Sequence, residues 1–357
     1  MKIFLISNLY PSKDDRDYGI FVRNIEDGLQ SNGAEIIQKA VISGRTRSFF
    51  EKLGKYKKFY LDILSAYRKN NFDLIYLHFI SHSSPGLLLA RGLFGKKKKL
   101  VINIHGSDIL KYHKGLLKFC NKKLLRTTDL LVVPSAYFKG IIETVFPDFP
   151  ESKIFISPSG GLDTSIFYSH KKSEQNKLHL GFVSRIEDDK GWRTFLKALH
   201  LLKNKNLDFK VSIAGTGSKT EAMKALVVKL NLQDHVDYLG ILSHKKLSSL
   251  YNDLDLFVFP TQSNESLGLV GLEAMACGVP VIGSEIAGLK TFIDDKKNGW
   301  FFTPGNEAEL VEKITNSYKL SQKEKDTMRN AAIQTARKYE KNKVAYTLYQ
   351  KFEQLLS

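Results

Sequence analysis

The chain has 357 residues, of which 54 are Lys or Arg and 37 are Asp or Glu, so its formal net charge is +17. This length exceeds one ordinary hydrophobic core and suits two domains. The apolar and charged fractions are those of a soluble globular protein, and no stretch approaches the roughly 18 apolar residues of a membrane-spanning helix. The two cysteines, Cys120 and Cys277, have no metal or redox spacing, which predicts a reduced, cytosolic protein.

Short apolar runs alternate with helical patterns along the chain. The first run, at residues 2–6, is too short for a signal peptide and predicts a β-strand. Further strands are predicted at residues 35–42, 73–78, 100–104, 129–133, 153–156, 178–183, 208–213, 235–239, 255–259 and 280–283. Strand–helix alternation predicts the α/β class, with parallel sheets that carry helices on both faces.

A polar segment at residues 169–177 separates two such series and is the predicted interdomain linker. Residues 1–168 would form an N-terminal Rossmann-like domain and residues 178–340 a C-terminal one. A last helix is predicted at about residues 342–356. Ligands of doubly wound sheets bind beyond the carboxyl ends of the strands, so the candidate site residues are sought there.

Histidines lie near the ends of two predicted strands in the first domain. His105 follows the strand at residues 100–104 and precedes Gly106, a position that favours a functional role over a structural one. Asp108 would cap the next helix or orient His105. His78 and His82 fall on the loop that is predicted after the third strand, where they are candidates for contact with a substrate.

Basic residues are concentrated between Arg45 and Arg126, where 19 Lys or Arg accompany 4 Asp or Glu. The run from Lys96 to Lys99 and the basic residues between Lys111 and Arg126 supply most of this excess. Such a face could dock on anionic lipid, bind nucleic acid or remain a solvated surface. No nucleic-acid-binding module accompanies it, so nucleic acid is the weakest of these three interpretations.

Two cations follow the first strand of the second domain. Arg185 and Lys190 lie on a strand-to-helix loop at the carboxyl edge of the predicted sheet. Arginine offers a planar fork of donors and lysine a point charge, and together they suit a diphosphate. Asp188 and Asp189 lie between them, but no third ligand has suitable spacing, so no metal is predicted.

A glycine turn follows the next strand. Its segment at residues 214–220 is not a P-loop, because that motif would need glycine where Ile213 and Ser218 stand. Gly215 and Gly217 either let the backbone approach a nucleotide or form a purely structural turn.

Glu265 and Glu273 bracket the most informative segment of the chain. Residues 269–276 are apolar helix formers and predict a buried helix, within which an unpaired Glu273 would be costly. Gly268 would let an anion approach the backbone N–H groups of Leu269 and Val270 at the helix start. A phosphate flanked by two carboxylates, which can accept hydrogen bonds from sugar hydroxyls, suits a nucleotide sugar.

These motifs together resemble the retaining glycosyltransferases of family 4, which have the GT-B fold. Glu265 and Glu273 resemble the family's E-x7-E motif, and Arg185 and Lys190 resemble its R-x4-K pair. His105 begins an element similar to H-x-x-D. Three further segments are similar to the family's P…G-x-F-V loop with Gly19, its glycine turn with Gly215 and Gly217, and its P-N-G-V-D-x-x-x-F segment at residues 158–167. The matches run in order over nearly the whole chain.

The resemblance implies a fold of two doubly wound Rossmann-like domains that face each other across a cleft. It also implies that residues 341–357 form a helix that packs back on the N-terminal domain. The implied reaction moves a hexose, with retention of configuration, from a nucleoside diphosphate sugar, for which UDP is favoured over GDP. No metal or other cofactor is implied.

The resemblance also assigns roles to single residues. Arg185, Lys190 and the helix start at residues 268–270 would neutralise the leaving diphosphate, and the backbone at Gly19 would approach the donor phosphates. Glu265 would hold sugar hydroxyls and Glu273 the ribose, while His105 would lie beside the reacting sugar. The backbones at the glycine turn and at Ile241 would contact the nucleotide and its base, and the acceptor-side candidates are His78, His82 and Asp108.

The implied acceptor is a cell-surface glycan or glycolipid, as in polysaccharide, lipopolysaccharide or capsule biosynthesis. The basic first domain would then hold a cytoplasmic enzyme peripherally on the anionic inner face of the cell membrane. A nucleotide-sugar epimerase shares the GT-B architecture and is the alternative; it should carry additional acid/base carboxylates and needs no acceptor. A nucleic-acid-binding protein would explain the charge but none of the motifs.

Overall fold

The computed structural model describes residues 1–15, 18–46, 48–95, 98–106, 109, 115–170, 177–205 and 207–357. Within them the chain divides into two compact units, one formed by residues 1–161 with 341–357 and the other by residues 162–340. Each unit contains a six-stranded sheet. All strand pairs are parallel, and helices flank both sheets, which confirms the predicted α/β class of two doubly wound domains.

The sheet of the first unit has the strand order β2-β1-β3-β4-β5-β6. Its strands are β1 (Lys2–Tyr10), β2 (Glu35–Ser43), β3 (Leu74–His78), β4 (Lys99–Asn103), β5 (Leu130–Val133) and β6 (Ile154–Ile156). Its helices, in chain order, are α1 (Ile20–Ser31), α2 (Phe49–Lys69), α3 (Ile80–Phe94), α4 (Gly115–Leu125) and α5 (Ala136–Val145).

The helices of the first unit form two layers. The steps from β2 to β3, and on to β6, all move the same way across the sheet, so right-handed crossovers place α2, α3, α4 and α5 on one face. Phe59 of α2, Leu87 of α3 and Leu124 of α4 accordingly share one buried core. α1 lies on the other face, together with the last helix of the chain.

The sheet of the second unit has the order β12-β11-β10-β7-β8-β9. Its strands are β7 (Leu178–Val183), β8 (Phe209–Ala214), β9 (Val236–Gly240), β10 (Leu256–Phe259), β11 (Val281–Ser284) and β12 (Gly299–Phe302). Its helices are α6 (Trp192–Lys203), α7 (Thr220–Lys229), α8 (His244–Asp253), α9 (Leu269–Ala276), α10 (Glu307–Tyr318) and α11 (Gln322–Arg337). The strand order reverses direction between β7 and β10, which makes their carboxyl ends the topological switch point of this sheet.

The last helix, α12 (Lys341–Leu356), belongs to the first unit. It packs against α1, where a Cβ on Gly28 would lie 2.7 Å from the Cβ of Ala345. Leu348 and Phe352 of α12 are buried in the same core as Leu29 of α1. The close approach at Gly28 lets these two apolar faces meet, and α12 completes the layer that α1 begins.

All the predicted strands are present, but two features differ from the sequence analysis. β12 was not predicted: its four residues, Gly-Trp-Phe-Phe, begin with a glycine, and their strand conformation comes from pairing with β11. The second unit begins at Leu162, earlier than the predicted boundary at residue 168. The Leu162 N–H donates to the Tyr339 carbonyl at 2.7 Å, and Phe167 packs on Tyr251 of α8, which attaches this segment to the second unit.

Residues 171–176 of the predicted linker lie outside the described residues. None of the helices in the described part of the chain is both long enough and apolar enough to cross a bilayer.

Candidate active site

Two loops meet at the switch point of the second sheet. The loop after β7 contains Arg185 and ends in a single 3₁₀ turn, Asp188–Lys190; the loop after β10 contains Glu265. The Gln262 N–H donates to the Asp189 carbonyl at 2.8 Å, which ties the loops together. Gly191 has a φ of 72°, and a Cβ there would lie 1.7 Å from the Pro260 carbonyl oxygen. Glycine is therefore required for this close approach.

Lys190 and Glu265 form an ion pair between these loops. The Lys190 Nζ donates to Glu265 Oε1 at 2.6 Å and to Ser263 Oγ at 3.2 Å. Thr261 Oγ1 also donates to Glu265 Oε1, at 3.2 Å. Lys190 is only 8% exposed, so its charge needs the partner that Glu265 supplies. The structure thus brings together two residues that the sequence predicted separately, one for phosphate and one for sugar.

Arg185 lies on the same loop as Lys190 but points outward. It is exposed, and it forms no ion pair or side-chain hydrogen bond within the described residues. Its neighbour Glu187 is instead engaged by the loop after β8, because Ser218 donates to it through both its N–H, at 2.9 Å, and its hydroxyl, at 2.5 Å. The Arg185 guanidinium is therefore available to an anionic ligand.

The helix start after Glu265 has the predicted form. α9 spans Leu269–Ala276, and Leu272, Ala274 and Met275 are buried. Gly268 precedes it with a φ of 90°, and no side chain caps the helix. The first N–H groups of a helix have no acceptor within the helix, and Leu269 and Val270 carry two of them. This helix start can bind an anion.

Glu273 lies inside α9 and contacts α8. Tyr251, which is fully buried, donates its hydroxyl to Glu273 Oε2 at 3.2 Å. Burial raises the pKa of Glu273 to about 7, although the Tyr251 hydrogen bond opposes this shift. Burial also raises the pKa of Tyr251 well above its ordinary value, with the nearby Glu273 charge adding to the effect. Tyr251 therefore stays a hydrogen-bond donor that orients the Glu273 carboxyl group.

The glycine turn after β8 packs tightly against the loop after β7. A Cβ on Gly215, whose φ is 120°, would lie 1.8 Å from the Ser184 carbonyl oxygen, and one on Gly217 would lie 2.4 Å from that of Ile186. Both glycines thus have a structural reason, as the alternative interpretation of this turn required. The Gly215 N–H donates to the Gly240 carbonyl at 2.7 Å, and the following residue, Ile241, is 76% exposed at the carboxyl end of β9.

Three predicted residues of the first unit lie at the ends of β1, β3 and β4. The His78 Nδ1 is 3.0 Å from His105 Nε2, which is also 2.9 Å from Asn103 Nδ2. Burial lowers the pKa of His105 to about 3, so His105 is neutral at physiological pH. The structure therefore pairs His78 with His105. Gly19, near the end of β1, directly precedes α1 with a φ of 73°, and a Cβ there would lie 2.6 Å from the Leu9 backbone.

The placement of two acceptor-side candidates was wrong. His78 is not on a loop: it is the last residue of β3, and it is fully buried because β1 and β4 flank it. His82 lies in the first turn of α3, which begins at Ile80, and its ring is near that of Tyr56. Only Phe79 separates the end of β3 from the start of α3, so no loop remains for His82 to occupy. Asp108 lies outside the described residues.

Several partners of the candidate residues were not predicted from the sequence. Thr261 and Ser263 bind the Lys190–Glu265 pair, and their polar run directly after the apolar strand β10 could have indicated them. Asn103 could have been found as a polar residue at the end of an apolar strand. Tyr251 had no local signal, because its contact with Glu273 exists only once α8 packs on α9.

Two family models match the chain. The model of the glycosyl transferases group 1 matches residues 165–338, and the model of Glycosyltransferase Family 4 matches residues 20–161. The amylovoran biosynthesis glycosyltransferase AmsK of Erwinia amylovora is 25% identical over 83% of this chain and 74% of its own length. The chain spans 58–60% of the length of several other curated relatives.

Solved structures match the fold over the full length. Sucrose-phosphate synthase from Thermosynechococcus elongatus gives a TM-score of 0.78 at 18% identity, covering 99% of this chain and 98% of that one. HepE of Anabaena in complex with UDP gives 0.76 at 17% identity, covering 99% and 100%. The two six-stranded parallel sheets flanked by helices are those of the GT-B fold. With two family models that match most of its residues, the chain belongs to the family 4, group 1 type of glycosyltransferases.

Proposed function

We propose that the protein is a retaining hexosyltransferase that uses a UDP-sugar as its donor and a growing cell-surface glycan or glycolipid as its acceptor. The observation that carries the proposal is the Lys190–Glu265 pair at the switch point of the second sheet. A cation for phosphate and a carboxylate for sugar hydroxyls stand side by side where such sheets bind nucleotides. HepE has been solved with UDP and with UDP-glucose, which supports UDP as the nucleotide.

In the proposed reaction, the bond between the anomeric carbon and the diphosphate oxygen breaks and an oxocarbenium-like centre forms. Negative charge grows on the leaving diphosphate, and Arg185, Lys190 and the start of α9 stabilise it. Preorganised charges of this kind are usually the largest contribution to catalysis. The acceptor hydroxyl attacks from the face that the leaving group vacates, and its proton passes to the leaving phosphate oxygen. Configuration is retained, and no metal or protein nucleophile takes part.

Lys190 can contact the donor without leaving Glu265. An ammonium group has three N–H donors. Two of them are used, by Glu265 at 2.6 Å and Ser263 at 3.2 Å, while the Asp189 carboxylate is at 3.6 Å. The third donor is available to a phosphate oxygen. Lys190 would then hold the Glu265 carboxylate for the sugar hydroxyls and the diphosphate at the same time.

Relatives support the kind of acceptor, because AmsK acts in the biosynthesis of a polysaccharide, amylovoran. We include His105 in the proposal as a neutral side chain that can bind a sugar hydroxyl, with Asn103 and His78 fixing its ring. The alternative of a nucleotide-sugar epimerase receives no support from the matched families.

The donor proposal is tested by thermal unfolding with UDP, UDP-glucose, UDP-galactose, UDP-N-acetylglucosamine, GDP-mannose and UMP. Binding to the native state at 100 times Kd adds about 2.7 kcal/mol of stability. We expect UDP and at least one UDP-sugar to raise Tm by several degrees, and UMP to raise it less because UMP lacks the second phosphate.

The variant Arg185→Ala should reduce the difference between the rise in Tm produced by UDP and that produced by UMP. Arg193→Ala is the matched control, because Arg193 is an exposed arginine nearby that pairs with Asp188 and stacks on Trp192. Equal rises in Tm with UDP and UMP in the wild type would argue against a diphosphate at Arg185. An equal loss of the difference between the two rises in Arg185→Ala and Arg193→Ala would argue against it as well.

A further inference from the structure

Three helices of the first unit carry exposed apolar side chains on their outer faces. α2 packs against α3, and α3 packs against α4, so the three lie side by side on one face of the sheet. Among the residues that the structure describes, the exposed phenylalanines are Phe49 and Phe50 of α2, at 74% and 81%, and Phe119 of α4. The exposed leucines are Leu53 and Leu61 of α2 and Leu89 and Leu93 of α3. We call this layer the α2–α4 surface.

The apolar residues follow the helical repeat. Phe50, Leu53, Lys57 and Leu61 of α2 recur every three or four residues, and Arg68 follows seven residues, about two turns, later. They therefore share one stripe along the outer side of the helix. The opposite side of α2 holds the buried core residues Phe59 and Ile63. The outer stripe is therefore a second apolar face that no described part of the chain covers.

Cations surround these apolar groups. Lys52, Lys57, Arg68 and Lys69 on α2 are exposed and form no ion pair within the described residues. The same holds for Lys118, Lys122 and Lys123 on α4 and for Arg126 just after it. The acids on the described parts of the three helices are Glu51 and Asp62, and each is paired with a lysine of α2. The α2–α4 surface thus combines exposed phenylalanine and leucine with an unopposed positive charge.

We propose that the α2–α4 surface docks on an anionic lipid membrane, with Phe49, Phe50 and Phe119 entering the headgroup region and the lysines meeting the lipid phosphates. Interfacial elements that bind membranes have this composition: phenylalanine and leucine beside lysine and arginine. A second copy of the chain would place like charges opposite each other. Nucleic acid would meet the cations but leave Leu89 and Leu93 in water.

The geometry separates this proposal from a purely electrostatic attraction. Of the polybasic run at residues 96–99, Lys98 and Lys99 lie in the part of the chain that the structure describes, and Lys99 is paired with Asp129. Binding through the α2–α4 surface should instead depend on both charge and apolar side chains. It does not depend on the identity of the donor, so the test below stands apart from the proposed function.

The test is cosedimentation of the full chain with phosphatidylcholine vesicles, with and without phosphatidylglycerol. We expect binding to the anionic vesicles, and at least ~10-fold weaker binding to the neutral ones or in 0.5 M salt, since each basic residue near the surface contributes to attraction and salt screens it. The double variant Phe49→Ser with Phe50→Ser should weaken binding to anionic vesicles by ~10-fold or more at constant salt.

The controls are matched in exposure and charge. Val228→Ser on α7 and Tyr346→Ser on α12 remove exposed apolar groups elsewhere and should leave binding unchanged. Neutralising Lys118, Lys122 and Lys123 to Gln should weaken binding to anionic vesicles, whereas neutralising Lys319, Lys323 and Lys325 in the second unit should not. Phe49 and Phe50 are exposed and Ser48 caps α2, so circular dichroism and the unfolding midpoint should stay at wild-type values.

Wild-type binding by the double phenylalanine variant would overturn the proposal, and so would equal binding to neutral and anionic vesicles or binding to neither. A change of oligomeric state in the phenylalanine variants, measured by sedimentation velocity without vesicles, would overturn it in favour of a second copy of the chain. If the variant with Lys118, Lys122 and Lys123 neutralised lost binding to an oligonucleotide but bound vesicles as the wild type does, the proposal would be overturned in favour of nucleic acid.

Discussion

Replacing Lys190 by alanine is expected to lower kcat about 100- to 1,000-fold, the usual effect of removing one group that stabilises developing negative charge. Donor affinity should fall much less, because in the proposed reaction the diphosphate charge that Lys190 would meet grows in the transition state. The measurement is initial-rate kinetics of donor turnover together with donor binding by calorimetry. Loss of the ion pair also leaves Glu265, at 2.6 Å, without its cation.

The matched control is Lys219→Ala. Lys219 lies at the start of α7, in the loop after the neighbouring strand, and pairs with Asp188 at 3.0 Å, but its side chain is exposed. Its removal should leave kcat within about twofold of wild type, as for a surface charge. Near-normal turnover of Lys190→Ala, or equal defects in both variants, would contradict the role assigned to Lys190.

Glu273→Gln is expected to weaken donor binding and to remove its pH dependence. Burial raises the pKa of Glu273 to about 7, so this carboxyl group is largely protonated at pH 6 and ionised at pH 8. In the proposed donor complex the ionised form would accept hydrogen bonds from ribose hydroxyls, so donor affinity in the wild type should rise as pH increases through 7. Loss of such a charged hydrogen bond costs on the order of 1.5–3 kcal/mol.

The donor affinity of Glu273→Gln should be constant over pH 6–8. Its kcat should change less than its donor affinity, because the proposed ribose contacts are the same in the ground and transition states. Tyr251→Phe removes only the hydroxyl that donates to Glu273 at 3.2 Å and should keep a pH-dependent profile. A wild-type profile in Glu273→Gln, or a defect in kcat alone, would show that Glu273 does not hold the donor.

The Glu273 carboxyl group should also make the free energy of unfolding depend on pH. The pKa of Glu273 is raised above its unfolded value, so the folded state binds the proton more tightly than the unfolded chain does. The free energy of unfolding should therefore fall as pH rises from about 4.5 to 7, by an amount on the order of 3 kcal/mol if the whole shift acts. Urea unfolding of Glu273→Gln should lack this decline.

The α/β fold could be predicted because each strand is a separate apolar run between polar loops. α9 was also predicted with its bounds, Leu269–Ala276, since an unbroken apolar stretch of helix formers follows Gly268. β12 has only four residues, with a glycine at its start, and its strand conformation comes from pairing with β11. Such a short edge strand depends on its partner more than on its own sequence.

The candidate site was predictable residue by residue but not as a set of contacts. Arg185, Lys190 and Glu265 follow strands, and the sequence places all three at one sheet edge. The direct pairing of Lys190 with Glu265 depends on β7 and β10 being neighbours, although 75 residues separate the two side chains in the sequence. The spacing of glycines in the sequence did not indicate that the Pro260 carbonyl group would pack directly against Gly191.

The histidines show the same limit. His105 could be identified at the end of β4, but the sequence did not indicate that His78 would lie 3.0 Å away on the adjacent strand. The burial that lowers the pKa of His105 comes from the surrounding sheet and from the rings of Phe21 and Phe79. Contacts of this kind arise from the register between parallel strands, which one sequence does not reveal.

The central claim is retaining transfer from a nucleoside diphosphate sugar, and the anomeric form of the first product tests it most directly. The wild-type protein would be incubated in EDTA with the four nucleotide sugars named above, and slow donor hydrolysis followed by proton NMR. We predict that at least one donor releases its nucleoside diphosphate together with free sugar that is initially the α-anomer, as in the α-linked donor. Release of the β-anomer first, formation of an epimerised sugar, cleavage to UMP or GMP and a sugar phosphate, or no release from any donor would contradict the claim.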